Sequence, residues 1–318
     1  ALAGGAQGLC VALVQEGVVL REAGLDCPIL VLSEQPAETL AAAVQHSLAL
    51  TVYGEAQLAA LAAAGAIDHP VHLKVDTGMR RVGVAAHQAV ALADAIASSP
   101  AAHLAGVSTH LAVADEPENP FTDLQLDRFD EVLAALAAAG HHPPLVHAAN
   151  SAGALAHPRA RHSMVRAGIA LYGIAPGPGV QAWCAELRPA LSLRARVSHV
   201  KQVAAGERIS YGLRHTFERD TTVATVPLGY ADGVPRRLHA VGGTVLVGGH
   251  HHPIVGVVTM DQLMIDCGDH PVQPGDPVVL IGRQGANEIT AADWAEALDT
   301  IAYEIVCGLS ARVERRPV

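Results

Sequence analysis

The sequence predicts an α/β protein in which a β/α (TIM-type) barrel lacking its first strand is followed by a mostly antiparallel β domain. First, short apolar runs alternate with Ala/Leu-rich stretches of helical period over residues 1–186, which is typical of parallel strands joined by crossover helices. Second, there are seven such runs, one fewer than a closed barrel has. Third, after residue 186 the runs become rich in Val, Ile and Thr and are separated by Gly and Asp-Gly turns.

The period of the apolar residues divides the first half into strands and helices. The predicted strands are Leu9–Val14, Ile29–Leu32, Leu48–Tyr53, Val71–Val75, Leu104–Thr109, Leu145–Val146 and Met164–Ala170. The predicted helices are Ala37–Val44, Ala56–Ala64, Ala86–Ala97 and Asp123–Ala139. The last helix is the clearest, because Phe129, Val132 and Leu136 are spaced for one face and Pro120 lies at the expected start. An open doubly wound sheet fits the same alternation.

The second half is predicted to consist mainly of strands and turns. The predicted strands are Leu191–Val203, Thr222–Pro227, Gly243–Val247, Ile254–Met260, Leu263–Ile265 and Pro277–Ile281. Thr290 and Asp293 have the spacing of a capping box that begins one short helix. A Pro-Gly-Pro-Gly stretch at 176–179 predicts a bend near the boundary, so the predicted domains are residues 1–186 and 187–318.

Composition limits the kind of protein. With 318 residues, 50% of them apolar and 16% charged, the chain can bury a sizeable core and is not disordered. A net charge of −10 without a basic stripe argues against nucleic acid as a partner. No run of about eighteen apolar residues and no leader-like opening occurs, so no membrane span is expected. The five scattered cysteines favour reduced thiols and a cytoplasmic location.

Charged side chains follow two of the predicted strands. Lys74 and Arg81 lie at or just beyond the carboxyl end of the fourth strand, the end that faces the active site of a β/α barrel. They predict either an anion-binding group or a charged loop in which Lys74 pairs with Asp76. His110 follows the fifth strand, where a base, a stacking residue and a satisfied buried side chain are all compatible with the pattern.

The last predicted strand of the first half contains a charge. Arg166 lies on the same strand face as Gly168. Because a charge inside an apolar strand is costly unless it is paired, Arg166 is the most informative residue of this half. Gly168 and Ile169 offer backbone N–H groups to a phosphate. Asn150 and Ser151 begin a helix, and they suit either a phosphate or an ordinary N-cap.

Loops of the second half contain further candidates. Tyr211 and Tyr230 lie beside glycines. This pattern is compatible with residues of a functional site and with residues that pack against a turn. Two histidine clusters, 141–142 and 250–252, run toward proline, so solvated turns are expected there and no metal site is predicted.

Eight motifs, in order along nearly the whole chain, resemble the alanine racemases, a family of fold-type III pyridoxal-phosphate enzymes. They are HLKVDTGMRRVGV (72–84), STHLAVADEPENPFT (108–122), HAANSAG (147–153), MVRAGIALYGI (164–174), GERISYG (206–212), PLGYADGVPR (227–236), TMDQLMIDCG (259–268) and IAYEIVCGLSARV (301–313). The resemblance implies a cofactor-binding β/α barrel, a β domain and a head-to-tail homodimer.

The resemblance also implies roles for single residues. Arg166 matches the arginine that faces the pyridine nitrogen of the cofactor, and His110 matches the histidine that braces it. Tyr211 matches the catalytic tyrosine, which is supplied to the partner subunit. Lys74 matches a lysine that is carbamylated in many relatives, and Arg81 matches the arginine that this lysine orients, with a part in catalysis and in substrate binding.

Further matches concern the phosphate and the substrate passage. The cofactor-binding residues, beside Arg166, are Asn150, Ser151, Gly168, Ile169 and Tyr303. The residues that line the passage and bind substrate, beside Arg81, are Tyr230, Met260 and Asp261. Arg80 departs from the pattern, since relatives often carry Gly at its position.

The implied function is interconversion of L- and D-alanine through a pyridoxal-phosphate aldimine by two-base proton transfer, which provides D-alanine for cell-wall peptidoglycan. Serine or other small amino acids are alternative substrates. The second base in the family is the Schiff-base lysine of a motif like K-A-x-A-Y-G-H-G, and Lys74 and Lys201 are the two lysines here. We therefore expect a sequence that lacks its N-terminal segment rather than a natural deletion. The alternative is a non-catalytic or inactive pyridoxal-phosphate-binding remnant.

Overall fold

The structure, a computed structural model, describes residues 1–317. These residues divide into two compact units. The first comprises Ala1–Leu171 and Ala175–Glu186, and the second comprises Tyr172–Ile174 and the residues from Leu187 onward. No helix in this part of the chain is both long and apolar enough to cross a bilayer.

The first unit contains a parallel sheet whose main path follows chain order. Its strands are β1 (Leu9–Val11), β2 (Ile29–Val31), β3 (Ala49–Val52), β4 (His69–Asp76), β5 (Val84–Ala85), β6 (Ala102–Ser108) and β7 (Leu145–His147). The path runs β1-β2-β3-β4-β6-β7, and the short β5 pairs with β4. Every pair is parallel, and no pairing between β7 and β1 closes the sheet within residues 1–317. This is the sheet of an incomplete β/α barrel, and the predicted fold class is confirmed.

Helices follow the strands and supply the core. They are α1 (Val14–Glu22), α2 (Ala37–Gln45), α3 (Glu55–Ala63), α4 (Ala89–Ser98), α5 (Phe121–Ala138) and α6 (Ser151–Ala156). The predicted stripe of α5 is buried, with Phe129 fully inaccessible to solvent and Leu136 nearly so. Burial of each such side chain contributes about 1.5–3 kcal/mol, so packing rather than capping holds α5 in place, since its N-cap Pro120 offers no side-chain hydrogen bond.

The predicted strand Met164–Ala170 is wrong. The backbone of this segment makes two bonds toward the neighbouring β7 region, from Ser163 N to Val146 O and from Arg166 N to Ala149 O. It then turns into a 3-10 helix at Ile169–Tyr172. Two separated bonds do not make a ladder, so the segment is extended without being a strand.

Strand register places the charged and aromatic side chains of β4 and its neighbours together. His72, Lys74 and Asp76 alternate along β4 and therefore share one face. His72 lies opposite Gly106 of β6 and Lys74 lies opposite Ser108. On this face Lys74 lies near the carboxyl ends of the strands, and His72 lies two residues further from those ends.

The second unit is built from antiparallel strands. They are β8 (Leu193–Arg196), β9 (His199–Val203), β10 (Arg208–Ile209), β11 (His215–Thr216), β12 (Thr221–Val226), β13 (Thr244–Val247), β14 (His250–Val255), β15 (Leu263–Gly268), β16 (Pro277–Gln284) and β17 (Asn287–Ile289). The main sheet runs β17-β16-β13-β14-β15-β12-β9, β8 pairs with β16, and β10 pairs with β11. Its main core is the apolar cluster around Leu246, Ile265 and Trp294, and a second, small cluster contains Phe217, Val223 and Val255.

Three predictions for this unit are corrected. The run Leu191–Val203 forms two strands, because Val197 N donates to Asp276 O and Ser198 N donates to Thr225 O, which ties the two sides to different partners. Residues 250–252 lie in β14, where they pair with β13, rather than in a solvated turn. The run predicted at Ile254–Met260 ends as a strand at Val255, because Gly256 adopts a left-handed φ of 67°.

Two helices complete the second unit, α7 (Ala291–Leu298) and α8 (Ala302–Gly308). The predicted capping box is present, since Thr290 Oγ1 accepts from Asp293 N at 3.0 Å and Asp293 Oδ2 accepts from Thr290 N at 2.7 Å. One helix was predicted here. Only three residues separate the two helices, and the apolar pattern does not reveal so short a break.

Candidate active site

Arg166 is the centre of a polar group in the first unit. Its guanidinium is partly buried and donates to four neutral acceptors: His147 Nδ1 (2.5 Å), Thr109 O (2.9 Å), Ala148 O (3.0 Å) and His110 Nδ1 (3.2 Å). Among residues 1–317 no carboxylate lies within 4.0 Å of it, and its Nε has no protein acceptor. Burial lowers the pKa of Arg166 to about 10, so it remains a cation at neutral pH, and its Nε–H stays uncommitted.

His110 is held neutral beside this cation. Burial, followed by the charges of Arg166, Arg81 and Lys74, lowers the pKa of His110 to about 4. Because a guanidinium only donates, Nδ1 of His110 is the acceptor in their contact. His110 therefore orients Arg166 without neutralising it.

Lys74 and Arg81 add positive charge to the same region. The ammonium of Lys74 donates to Leu32 O at 3.3 Å, and burial with the charges of Arg166 and Arg81 lowers its pKa to about 8. The alternative pairing of Lys74 with Asp76 is not formed. Asp76 instead accepts from the backbone N–H groups of Gly78 (2.9 Å) and Arg80 (3.1 Å).

The region is therefore electropositive. Within the described chain, neither Lys74 nor Arg81 forms an ion pair with a carboxylate, and together with Arg166 they make three cations that influence one histidine. Uncompensated positive charge of this kind is stabilised by an anionic ligand. The geometry fits a phosphate or a carboxylate.

Ser151 lies where backbone donors converge. Its Oγ accepts from Gly168 N at 2.8 Å and from Ala170 N at 3.3 Å, and it is almost fully buried. A Cβ at position 168 would meet nothing nearer than Ser151 Oγ at 4.0 Å, so Gly168 leaves open space beside the hydroxyl. Asn150 acts as an N-cap, since its Oδ1 accepts from Gly153 N at 2.9 Å.

Tyr211 occupies a strained turn of the second unit. Its neighbours Ser210 and Gly212 have φ of 65° and 75°, and Ser210 Oγ donates to Val257 O at 2.9 Å, which anchors the turn. Tyr211 as a whole residue is 73% exposed. The chain thus presents Tyr211 outward from a fixed backbone.

The other predicted residues of the second unit cluster in adjoining loops. Tyr230 N and Thr259 O are 3.0 Å apart, and a Cβ on Gly229 would collide with Met260 O at 2.3 Å, so a glycine is needed for this approach. Asp261 pairs with Arg312 at 2.7 Å. Tyr303 lies on α8. The loops of Tyr230, Met260 and Asp261 are therefore held together.

Comparison with known proteins decides the family. The family model for the alanine racemase N-terminal domain matches residues 1–176, and the model for the alanine racemase C-terminal domain matches residues 190–317. The chain belongs to the alanine racemase family. The predicted family, fold class and enzyme class are confirmed.

Similar proteins of this family have been found in several bacteria. The alanine racemase of Symbiobacterium thermophilum is 49% identical over 99% of this chain and 84% of its own length, and that of Thermobifida fusca is 44% identical over 99% and 85%. Among solved structures, alanine racemase from Bacillus anthracis with bound L-Ala-P superposes with a TM-score of 0.93 at 40% identity, covering 98% of this chain and 81% of that one. Alanine racemase from E. faecalis gives 0.91 at 40% identity, covering 98% and 83%. Nothing in these comparisons favours a non-catalytic remnant.

One residue of this racemase fold that sequence reasoning missed is Gln125, which is fully buried on α5. Its Oε1 accepts from Ala112 N at 2.8 Å, and its Nε2 donates to His110 O at 3.0 Å and Thr77 Oγ1 at 3.3 Å. It therefore joins the loops that follow β4 and β6. The available signal was a polar residue within the apolar stripe that contains Phe129.

Proposed function

We propose that this protein is a pyridoxal-phosphate-dependent alanine racemase, which interconverts L- and D-alanine. The observation that carries the proposal is the Arg166 guanidinium, a cation held by neutral acceptors with Nε uncommitted. Arg166 would face the ring nitrogen of bound pyridoxal phosphate, where a permanent cation would keep that nitrogen unprotonated and so limit unwanted reactions of the activated amino acid.

The residues present fit the cofactor. Ser151 accepts two backbone hydrogen bonds, and its own proton has no acceptor among residues 1–317, so it can donate to a phosphate. The open space beside Gly168 suits the same dianion. We assign the phosphate to Ser151 and to the backbone N–H groups of Ile169 and Gly168, where Gly168 would exchange its bond to Ser151 Oγ for one to the phosphate, with Asn150 fixing the helix start. The role of Tyr303 stays a prediction.

When bound, pyridoxal phosphate supplies an electron-withdrawing ring that acidifies the α-proton of the amino acid. Arg81 binds and orients the substrate carboxylate, and a carbamate on Lys74 would hold Arg81 by a charge-assisted bond. The phenol of Tyr211 takes or returns the proton on one face of Cα. The opposite face is assigned to the family's Schiff-base lysine, which stays a prediction.

Two subunits would complete each site in this proposal. Tyr211 would serve the cofactor of the partner subunit, with Tyr230, Met260 and Asp261 lining the passage. The proposed setting is cytoplasmic, with the D-alanine product used for peptidoglycan. Alanine is the proposed substrate, and serine is the comparison to make.

The proposal is tested by α-proton exchange. The full-length protein is incubated with pyridoxal phosphate and L-alanine in D₂O, and the Cα–H signal is followed by ¹H NMR. Loss of that signal, with an Arg166→Met variant much slower, supports the proposal. Retention of the signal in a folded protein shown to bind the cofactor would contradict it.

A further inference from the structure

Two buried imidazoles lie behind Arg166 in the first unit. His147 ends β7 and His72 lies on β4, and both are nearly inaccessible to solvent. Nδ1 of His147 is 2.5 Å from the Arg166 guanidinium, and Nε2 of His147 is 2.8 Å from Nδ1 of His72. The two rings meet at 62° with centroids 5.1 Å apart. The three side chains form one hydrogen-bonded chain.

This chain has a fixed direction. A guanidinium can only donate, so Nδ1 of His147 accepts and its proton must be on Nε2. That Nε2–H then donates to Nδ1 of His72, whose own proton must be on Nε2. Burial, followed by the charge of Arg166, lowers the pKa of His147 to about 2 and that of His72 to about 4. Each ring is therefore neutral in a single tautomer.

Gly106 provides the space for the His72 ring. The two residues lie opposite each other in the β4–β6 register. A Cβ at position 106 would lie 2.4 Å from Nδ1 and 2.6 Å from Cε1 of His72. The φ of Gly106 is not in the left-handed region, so close approach rather than backbone freedom explains the glycine. Any side chain here would displace the nitrogen that accepts from His147.

Without that acceptor, His147 would bury an unpaired N–H, a costly arrangement that ring rotation would relieve. Rotation would withdraw Nδ1 from Arg166, whose contact with His110 is longer, at 3.2 Å. We propose that His72 is a positioning residue of the racemase site, which acts through His147 to fix the orientation of the Arg166 guanidinium, and that Gly106 makes this possible. The kinetic consequence rests on the proposed function, whereas the hydrogen-bonded chain does not.

The first experiment reads the tautomers. Long-range ¹H–¹⁵N spectra of the full-length protein with ¹⁵N-labelled histidine are recorded, with signals assigned by His147→Asn. We expect a neutral His147 with its proton on Nε2, unchanged in His72→Asn, whose side-chain oxygen can accept in place of Nδ1. We expect an altered signal in His72→Ala. A protonated His147, a proton on Nδ1, or an unchanged spectrum in His72→Ala would overturn the proposal.

The second experiment is kinetic, with rates normalised to bound cofactor and folding checked by thermal unfolding. His72→Ala should lower kcat for alanine about tenfold while KM stays within about twofold, as expected for loss of one buried orienting bond. His72→Asn should restore most of kcat. Gly106→Ala should match His72→Ala, and the double variant should lose no more than either. Equal losses in His72→Ala and His72→Asn, or additive losses, would contradict the assignment.

These outcomes separate the two proposals. A wild-type protein that does not racemise alanine refutes the proposed function, and the tautomer of His147 then still decides whether the imidazole chain exists. A racemase whose His147 carries its proton on Nδ1 refutes the positioning role alone.

Discussion

The Arg166 guanidinium donates to Nδ1 of His110 across 3.2 Å. This partner is neutral, because burial and the surrounding cations lower the pKa of His110 to about 4. Most buried guanidinium groups are compensated by a carboxylate, whereas this one is compensated by dipoles. Its full charge therefore stays available to a ligand.

Lys74 should form a carbamate when the full-length protein is supplied with ¹³C-bicarbonate. Only a neutral amine reacts with CO₂, and burial with the charges of Arg166 and Arg81 lowers the Lys74 pKa to about 8. The neutral fraction, and with it the carbamate, should rise as pH increases toward and past 8. A carbamate ¹³C signal that is lost in Lys74→Met and kept in Lys201→Met is the expected result.

Lys201 is the matched control, since it is the other lysine of the chain and is exposed on β9. A signal that survives Lys74→Met would show that Lys74 is not the modified residue.

Tyr211→Phe should slow proton exchange from one enantiomer of alanine far more than from the other. Loss of one acid–base group costs about a hundredfold or more on the face that it serves. The phenol is largely exposed, so the melting temperature should hardly change. Deuterium incorporation is measured separately from L- and D-alanine, and equal losses from both would contradict the role.

Mixed dimers should show whether Tyr211 acts on the partner subunit. Neither Tyr211→Phe nor Arg166→Met should racemise alone. Half of the randomly mixed dimers contain one chain of each variant. In each of these dimers one of the two sites is intact if the tyrosine crosses the interface. Recovery of about a quarter of wild-type activity is expected after mixing. No recovery, with subunit exchange verified by mass spectrometry, would place Tyr211 in the site of its own chain.

Arg80→Gly should stabilise the protein relative to Arg80→Ala by about 1 kcal/mol. Arg80 has φ of 59°. This left-handed conformation is unfavourable for any residue that carries a Cβ atom. Both variants remove the guanidinium and its 3.7 Å contact with Asp76, so their difference isolates the backbone. Urea unfolding measures it, and equal stabilities would show that the turn relaxes in the variants.

Much of the fold follows from apolar period alone. The strands at Ile29–Val31 and Ala49–Val52 and the stripe of α5 were predictable because burial on one face leaves a clear pattern. Helix α1 escaped prediction because its buried residues are only Val14 and Gly17, and the glycine is there to admit the Leu48 side chain.

The site was predictable only in part. Strand ends and motifs pointed to Lys74, Arg81 and Arg166. Sequence could not show that these cations lack carboxylate partners among residues 1–317, or that neutral imidazoles lie behind Arg166. Both facts depend on which strands are neighbours in the sheet. The fit of His72 against Gly106 joins positions 34 residues apart through sheet register, which local pattern does not reveal.

The most direct test of the account is chiral analysis of alanine treated with the full-length protein and pyridoxal phosphate. One sample starts from L-alanine and the other from D-alanine. Because the enantiomers are equal in free energy, a racemase must bring both samples to the same equal mixture, and the account predicts this convergence. Samples that keep their starting configuration, although the folded protein binds the cofactor, would contradict the account.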